Sequence, residues 1–259
     1  MIAHNTWRFL NSHTQTAQKN MAVDEALLIG FKEGDMPILR LYGWENALSV
    51  GRYSTLWTSL DRQTVEAKNV LCVRRISGGG ILVHGGDLSY SLIMPHDWLR
   101  EKGVKESYHY LCSFLIRLYK RLGYKADFAG EKRGSALRSN ICLAGNEVYD
   151  ILINGKKIGG NAQRHTRHAL FQHGSIPMSI DESFFTPFFR VDPGFENAAT
   201  LERLGTSISY EELAILVRET FCETFGVESI SDTLNLSEEQ CAMKLAEEKY
   251  TKESWNYNG

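Results

Sequence analysis

The strand-like runs of this chain come in closely spaced groups, and helices separate the groups. That spacing restricts the fold more than any single motif. VLCVRRIS (70–77), ILVH (81–84) and DLSYSLIMP (87–95) follow one another across short glycine connections, Gly78-Gly79-Gly80 and Gly85-Gly86. WRFLNS (7–12), ILRLYGW (38–44) and ALSVGRY (47–53) read as earlier strands. Strands are predicted again near 147–153, 156–163 and 168–177, with Asn154-Gly155 as a tight hairpin turn. Helices are predicted over 17–32, 60–69, 106–123, 209–225 and 237–249. In the first, Met21, Ala22, Ala26, Leu27 and Ile29 make the inner face, and Gly123 stops the third. Residues 124–146, rich in Gly, Arg and Ser, read as a long loop. Strands in adjacent hairpins with helices between the groups predict an α+β fold with a mixed, largely antiparallel sheet flanked by helices. The alternation is wrong for a doubly wound nucleotide fold.

No repeat or low-complexity linker divides residues 1–259, so one domain is expected. Hydrophobic content of 43% with 23% charge suits a soluble globular protein with a substantial core. The formal net charge of −2 gives no basic field for nucleic acid. The five cysteines, Cys72, Cys112, Cys142, Cys222 and Cys241, are odd in number and lack a CxxC spacing. That argues against a zinc site and a disulfide framework, and fits a reducing cytoplasm. MIAHNTWRFLNSHTQ has no basic start followed by an apolar run, so no signal peptide is expected, and no run is long enough for a membrane helix. A monomer is the default expectation.

Several residues invite a chemical reading. Arg74-Arg75-Ile76-Ser77-Gly78-Gly79-Gly80 follows a strand directly. Consecutive glycines let a ligand approach bare backbone, and arginines add charge-assisted hydrogen bonds. The plain alternative is a turn with solvated arginines. His84, four residues on, suits a pocket wall, a proton relay or a structural hydrogen bond. Lys156 and Lys157 alternate faces, so at most one points inward, and periodicity does not choose between them. His173, before Gly174, is a candidate pocket wall or base for a thiol. Cys142 lies fifteen positions before Lys157. A thiolate is the nucleophile, and a nearby cation lowers its pKa. Without such a neighbour a cysteine is usually an inert buried side chain, the reading given to Cys72, Cys112, Cys222 and Cys241.

Five segments in order carry a resemblance: WRFLNS…AQKNMAVDEALL, MPILRLYGWENALSVGRY, RRISGGGILVHGGDLSYSLIMP, NGKKIGGNAQR…FQHGSI and KLAEEKYTKESWN. Over nearly its whole length the chain is similar to the lipoate/octanoate protein ligase and transferase family. The resemblance implies the class II biotin/lipoate protein ligase fold. Within the family, Cys142, with Tyr149-Asp150 and Lys157 downstream, resembles the octanoyltransferase branch in position, as does DLSYS (87–91).

That branch implies a cysteine nucleophile at Cys142 and a catalytic Lys157. It implies a substrate site at Arg75, Ser77, Gly78, Gly79, Gly80, His84, Gly159, Gly160, Ala162 and His173. Octanoyl would pass from acyl carrier protein, as a thioester, to a lysine of a lipoyl-domain protein, such as the glycine cleavage H protein or a 2-oxoacid dehydrogenase E2. No metal or cofactor is expected. Gly145-Asn146 in place of Pro-Ser, Asp150 in place of glutamate, the third glycine at Gly80 and the absence of an acidic residue after His84 are departures from that branch. They keep an ATP- and Mg2+-dependent lipoate–protein ligase as the alternative. An amidotransferase acting between lipoyl domains and a non-catalytic lipoyl-domain-binding protein are further readings.

Overall fold

The computed structural model describes residues 5–130 and 150–258. The chain runs β1 (Thr6–Gln15), α1 (Ala17–Gly30), β2 (Ile38–Trp44), β3 (Ala47–Val50), α2 (Arg62–Ala67), β4 (Leu71–Arg74), β5 (Ile81–His84) and β6 (Asp87–Pro95). It continues through α3 (Val104–Leu111), α4 (Ser113–Arg121), β7 (Ala126–Phe128), β8 (Ile151–Ile153), β9 (Lys156–Lys157), β10 (Asn161–His165) and β11 (Ala169–Pro177). It ends with α5 (Glu182–Phe185), α6 (Tyr210–Phe225), β12 (Glu228–Ser231), α7 (Leu236–Leu245) and α8 (Glu253–Asn256).

A six-stranded sheet in the order β10-β11-β6-β2-β1-β12 is the centre of the fold. Its β10-β11-β6-β2 part is antiparallel, while β1 pairs in parallel with both β2 and β12. Two three-stranded sheets, β4-β3-β5 and β7-β8-β9, flank it. The expected mixed α+β architecture is what forms. The glycine-linked strands do not pair as simple hairpins, however. β4 and β5 both pair with β3, in parallel and antiparallel respectively, and the turn at Gly85-Gly86 carries the chain from the small sheet to the large one.

Each face of the large sheet buries an apolar layer. Leu39, Leu41, Tyr90 and Leu92 share one core with Leu115, Leu118, Phe221 and their neighbours on α3, α4 and α6. Tyr42, Ile93 and Phe171 share the other with α1, α7 and the small-sheet residue Val73. Strand alternation produces the two faces. Helix starts follow local chemistry. Asp61 accepts from Thr64 N–H before α2, and Ser209 and Asn235 form capping boxes with Glu212 and Glu238 before α6 and α7.

The sequence reading needs adjusting in places. The helix expected over 106–123 is two helices joined at Cys112, and the strand expected over 156–163 breaks after Lys157. Ile29 points to solvent, while Val23 and Leu28 join the buried face of α1. Cys72 and Cys112 are buried, and desolvation pushes both thiols up to about 12. Cys222 and Cys241 are only half-buried. No helix among the described residues is long and apolar enough to cross a membrane. No cluster of His, Cys, Asp and Glu that could hold a metal ion occurs among them.

One polar row crosses the sheet beneath α1. Arg40, Ser91, His173 and Ala162 are register partners on β2, β6, β11 and β10, so their side chains share a face. Asp24 of α1 descends onto this row. Arg40 Nη1 donates to Asp24 Oδ1 at 2.6 Å, Ser91 Oγ to the same oxygen at 2.8 Å, and Tyr42 Oη to Oδ2 at 2.9 Å. Asn20 completes the cage, accepting from Arg40 through both its carbonyl and Oδ1. Burial raises the Asp24 carboxyl, but the Arg40 charge, the nearby His173 and the Ser91 hydrogen bond more than offset it and hold the group below the usual value. Asp24→Asn leaves a buried guanidinium without its counter-charge. The expected loss is about 3–5 kcal/mol of unfolding free energy in urea titrations. A loss below about 1 kcal/mol would show that the pair is not the anchor described.

Candidate active site

β4 delivers the chain into the glycine loop at Arg75–Gly80, and Arg75 turns inward. Its Nη1 donates to Ser49 Oγ at 2.8 Å, and its Nη2 to the carbonyls of Gly78 at 3.2 Å and Gly80 at 3.0 Å. Ser49 Oγ lies 2.7 Å from His84 Nε2, and His84 Nδ1 lies 3.0 Å from Asp87 Oδ2. Ser49 Oγ accepts from Arg75 and shares a second hydrogen bond with His84 Nε2, while the other ring nitrogen of His84 faces Asp87. Trp44 stacks on the His84 ring at 3.9 Å. Burial would raise the Asp87 carboxyl. His84, the Ser89 hydroxyl and Gly85 N–H instead hold it below the usual value. His84 therefore acts within a relay that fixes Arg75 and, through it, the loop.

Ser77 is held from the large sheet. Its Oγ lies 2.5 Å from His173 Nε2, and His173 Nδ1 lies 3.8 Å from Asp24 Oδ2. The polar row thus ends on the glycine loop. Arg164 of β10 adds a bond to the Ile76 carbonyl at 2.7 Å.

The two lysines separate as alternation requires. Lys156 is exposed and donates to the Glu196 carbonyl at 2.8 Å. Lys157 is only 5% exposed, and its Nζ pairs with Asp150 Oδ2 at 2.6 Å. Alternation then stops, because Ile158 is buried as well. The Asn154-Gly155 turn has positive φ at both residues, as a type I′ hairpin requires, and it sets the β8–β9 register that places Lys157 opposite Leu152. At Gly159 φ is +74°, and a Cβ there would collide with the Ser175 carbonyl. Only glycine lets the chain leave β9 and enter β10 at this point.

Gly159 also lines a small open cleft with His84, Asp87, Leu82, Ser175 and Phe185. A methyl group on Gly160 would touch only Leu82, at 3.9 Å, and one on Gly78 would meet nothing within 4 Å among the described residues. Among the described residues nothing packs on the Gly78 backbone, and only the Leu82 side chain approaches that of Gly160.

The fold therefore brings Arg75, Ser77, Gly78, Gly80, His84, Gly159, Gly160, Ala162 and His173 onto one connected set of β4–β5, β10 and β11 segments, with Lys157 leading into it. Gly79 belongs to the loop, but its carbonyl is turned to Ser54 Oγ, 2.8 Å away. Cys142 and Tyr149 lie outside the described residues. The segment carrying Cys142 leaves at Gly130 and returns at Asp150. Ala129 N–H donates to the Asp150 carbonyl at 2.8 Å, so the two ends of the segment are joined.

Sequence reasoning missed Asp24, Ser49, Asp87 and the pairing role of Asp150. Asp24 had a signal: a carboxylate among apolar residues on the inner face of α1. Ser49 had none, as a serine inside an ordinary strand run.

A glycine loop and a buried lysine brought together by a mixed sheet define the class. The family model of the lipoyl protein ligase A/B catalytic domain matches residues 16–221, and the chain belongs to that family. Among its relatives, Octanoyltransferase LipM of Kyrpidia tusciae is 33% identical, over 97% of this chain and 98% of its own. The Octanoyltransferase LipM of an Exiguobacterium species is 32% identical over 96% and 97%, and that of Bacillus subtilis 31% over 97% and 98%. The fold is shared with solved lipoate–protein ligases. A lipoate-protein ligase A bound with ATP superposes with a TM-score of 0.84 at 24% identity, over 97% of this chain and 98% of that one. A bi-partite ligase from Thermoplasma acidophilum superposes with a TM-score of 0.82 at 24% identity, over 98% and 97%.

Burial pushes the His173 imidazole below its ordinary value of 6.5, despite the nearby Asp24 carboxylate. A depressed folded pKa means that the unfolded chain binds more protons once the pH drops below that value, so stability falls on acidification. The melting temperature should decline from about pH 7 to about pH 5. His173→Asn should flatten that decline, whereas His165→Asn on the half-exposed hairpin should change it less. Equal slopes in wild type and His173→Asn would exclude a buried neutral imidazole.

Proposed function

We propose that this protein transfers octanoyl from the thioester of an acyl carrier protein to a lysine of a lipoyl-domain protein, through a thioester on Cys142. Octanoyl transfer is the activity its full-length relatives carry in their name. The observation that carries the residue-level reading is the Lys157–Asp150 pair. It sits at the exit of the Cys142 segment and at the entrance to the bare backbone of Gly159-Gly160.

In this reading the Cys142 thiolate attacks the octanoyl carbonyl. A new C–S bond forms, the donor thiol departs as thiolate and takes up a proton. Exchange of one thioester for another is nearly isoenergetic, so ATP is not required. Lys157, kept in place by Asp150, presents its ammonium to the Cys142 sulfur and to the carbonyl oxygen where negative charge develops. Asp150 draws part of that positive charge, so the lysine works more through its aimed N–H bonds than as an isolated cation. The ε-amine of the acceptor lysine then attacks the Cys142 thioester. The amide C–N bond forms, the Cys142 thiolate leaves, and the amine's extra proton passes to solvent. The amide is the thermodynamic sink. The loop at Ser77–Gly80 closes over the acyl chain, with Ala162 and His173 on the sheet side.

Incubation with octanoyl-acyl carrier protein should add one octanoyl mass, mapped to Cys142. Cys142→Ala should abolish the adduct and reduce transfer by at least about a thousand-fold. Lys157→Met should slow adduct formation about 100- to 1,000-fold. If Cys142→Ala still modifies a lipoyl domain when given ATP and lipoate, ATP does the activating and the ligase reading replaces this one.

A further inference from the structure

The glycine loop is gripped from a second side, away from Arg75. The turn after β3, residues 51–54, lies along it. Gly51 N–H donates to the Gly80 carbonyl at 3.1 Å, Arg52 N–H to the Ser77 carbonyl at 2.8 Å, and Ser54 Oγ to the Gly79 carbonyl at 2.8 Å. The approach is so close that a Cβ on Gly51 would run into the Gly79 carbonyl. Any displacement of this turn therefore displaces the loop.

One buried guanidinium organises the turn. Arg74 Nη1 donates to the carbonyls of Gly51, Arg52 and Ser54 at 2.9, 3.2 and 2.8 Å. Arg74 is in turn clamped by the last helix. Its Nε donates to the Trp255 carbonyl at 3.0 Å and its Nη2 to the Tyr257 carbonyl at 3.4 Å. Its backbone is clamped as well. Arg74 N–H donates to Asn256 Oδ1 at 3.1 Å, and the Arg74 carbonyl accepts from Trp255 Nε1 at 3.0 Å.

Asn256 Nδ2 then donates to the Tyr250 carbonyl at 2.7 Å, tying α8 to the preceding helical turn. The Trp255 ring receives the Arg52 guanidinium at 4.2 Å and the Lys249 ammonium at 3.7 Å. Lys249 is itself fixed by both oxygens of Glu25 on α1 at 2.7 Å. A helix of four residues has almost no stability of its own. Here the Trp255 carbonyl, Trp255 Nε1 and Asn256 Oδ1 are all committed to Arg74.

We propose that Trp255 and Asn256 are positioning residues for the glycine loop. The C-terminal helix sets the shape of that loop through Arg74 and the 51–54 turn, and so governs how tightly the acyl donor is held. The functional half of this inference rests on the reading of the loop as the acyl-binding element. The structural half does not.

Two variants test it, Asn256→Ala and the milder Trp255→Phe, which keeps an aromatic ring and removes the Nε1 donor. Hydrogen exchange at the Gly51 and Arg52 amides should become roughly ten-fold faster, while amides of β6 and β11 keep their protection. The KM for octanoyl-acyl carrier protein should rise roughly ten-fold, with kcat within about two-fold of wild type. A helix that merely stabilised the fold would instead lower the active fraction, reducing kcat at unchanged KM.

Unchanged exchange at Gly51 and Arg52 in both variants overturns the inference, as does an unchanged KM alongside faster exchange. Should Asn256→Ala loosen the whole sheet, Trp255→Phe decides. Exchange needs no substrate. If the wild-type protein accepts no octanoyl thioester, the reading of its activity fails separately, and KM is then measured with lipoate and ATP.

Discussion

A carboxylate buried at the centre of the molecule is the constraint on which the rest depends. Taking a charge out of water costs several kcal/mol even after relaxation, and only good geometry recovers it. Asp24 recovers it from four directions: Arg40, Tyr42 and Ser91 bond to it directly, and His173 approaches from β11. These partners come from β2, β6 and β11, so α1 can satisfy its carboxylate in only one position over the sheet. A slip of one residue along any of those strands would turn its partner to the opposite face. An apolar contact would tolerate such a slip with a modest penalty. A buried ion pair does not.

That geometry reaches the functional region through His173. Its far nitrogen meets Ser77, so the same row that registers α1 against the sheet also registers the glycine loop. Arg75 does the equivalent work from the small sheet, through Ser49, His84 and Asp87. The loop has three glycines, and glycine-rich backbone is conformationally permissive. Its single shape comes from neighbours that claim its carbonyls one by one.

Much of this was legible in the sequence, for identifiable reasons. Helix-length runs between turn signals marked α6 and most of α1, and Asn154-Gly155 marked the hairpin before Lys157. The family resemblance gave the loop and the lysine. Pairing was not legible. β4 and β5 are consecutive, yet both pair with β3, because pairing is decided by distant packing that a local pattern does not encode. The break after Lys157 hid in what looks like a continuous strand, since only the steric closeness of the Ser175 carbonyl makes Gly159 a corner. The partners of His84 were not legible either, because a histidine after a glycine loop carries no mark of the serine and aspartate that will hold its ring.

The joined residues Ala129 and Asp150 carry a consequence for Lys157. Ala129 N–H donates to the Asp150 carbonyl, which extends the β7–β8 pairing by one bond, and the Asp150 carboxylate pairs with Lys157 Nζ. The backbone of one residue thus closes a sheet edge while its side chain holds the buried ammonium. Fraying of that edge would therefore also release the counter-charge of Lys157.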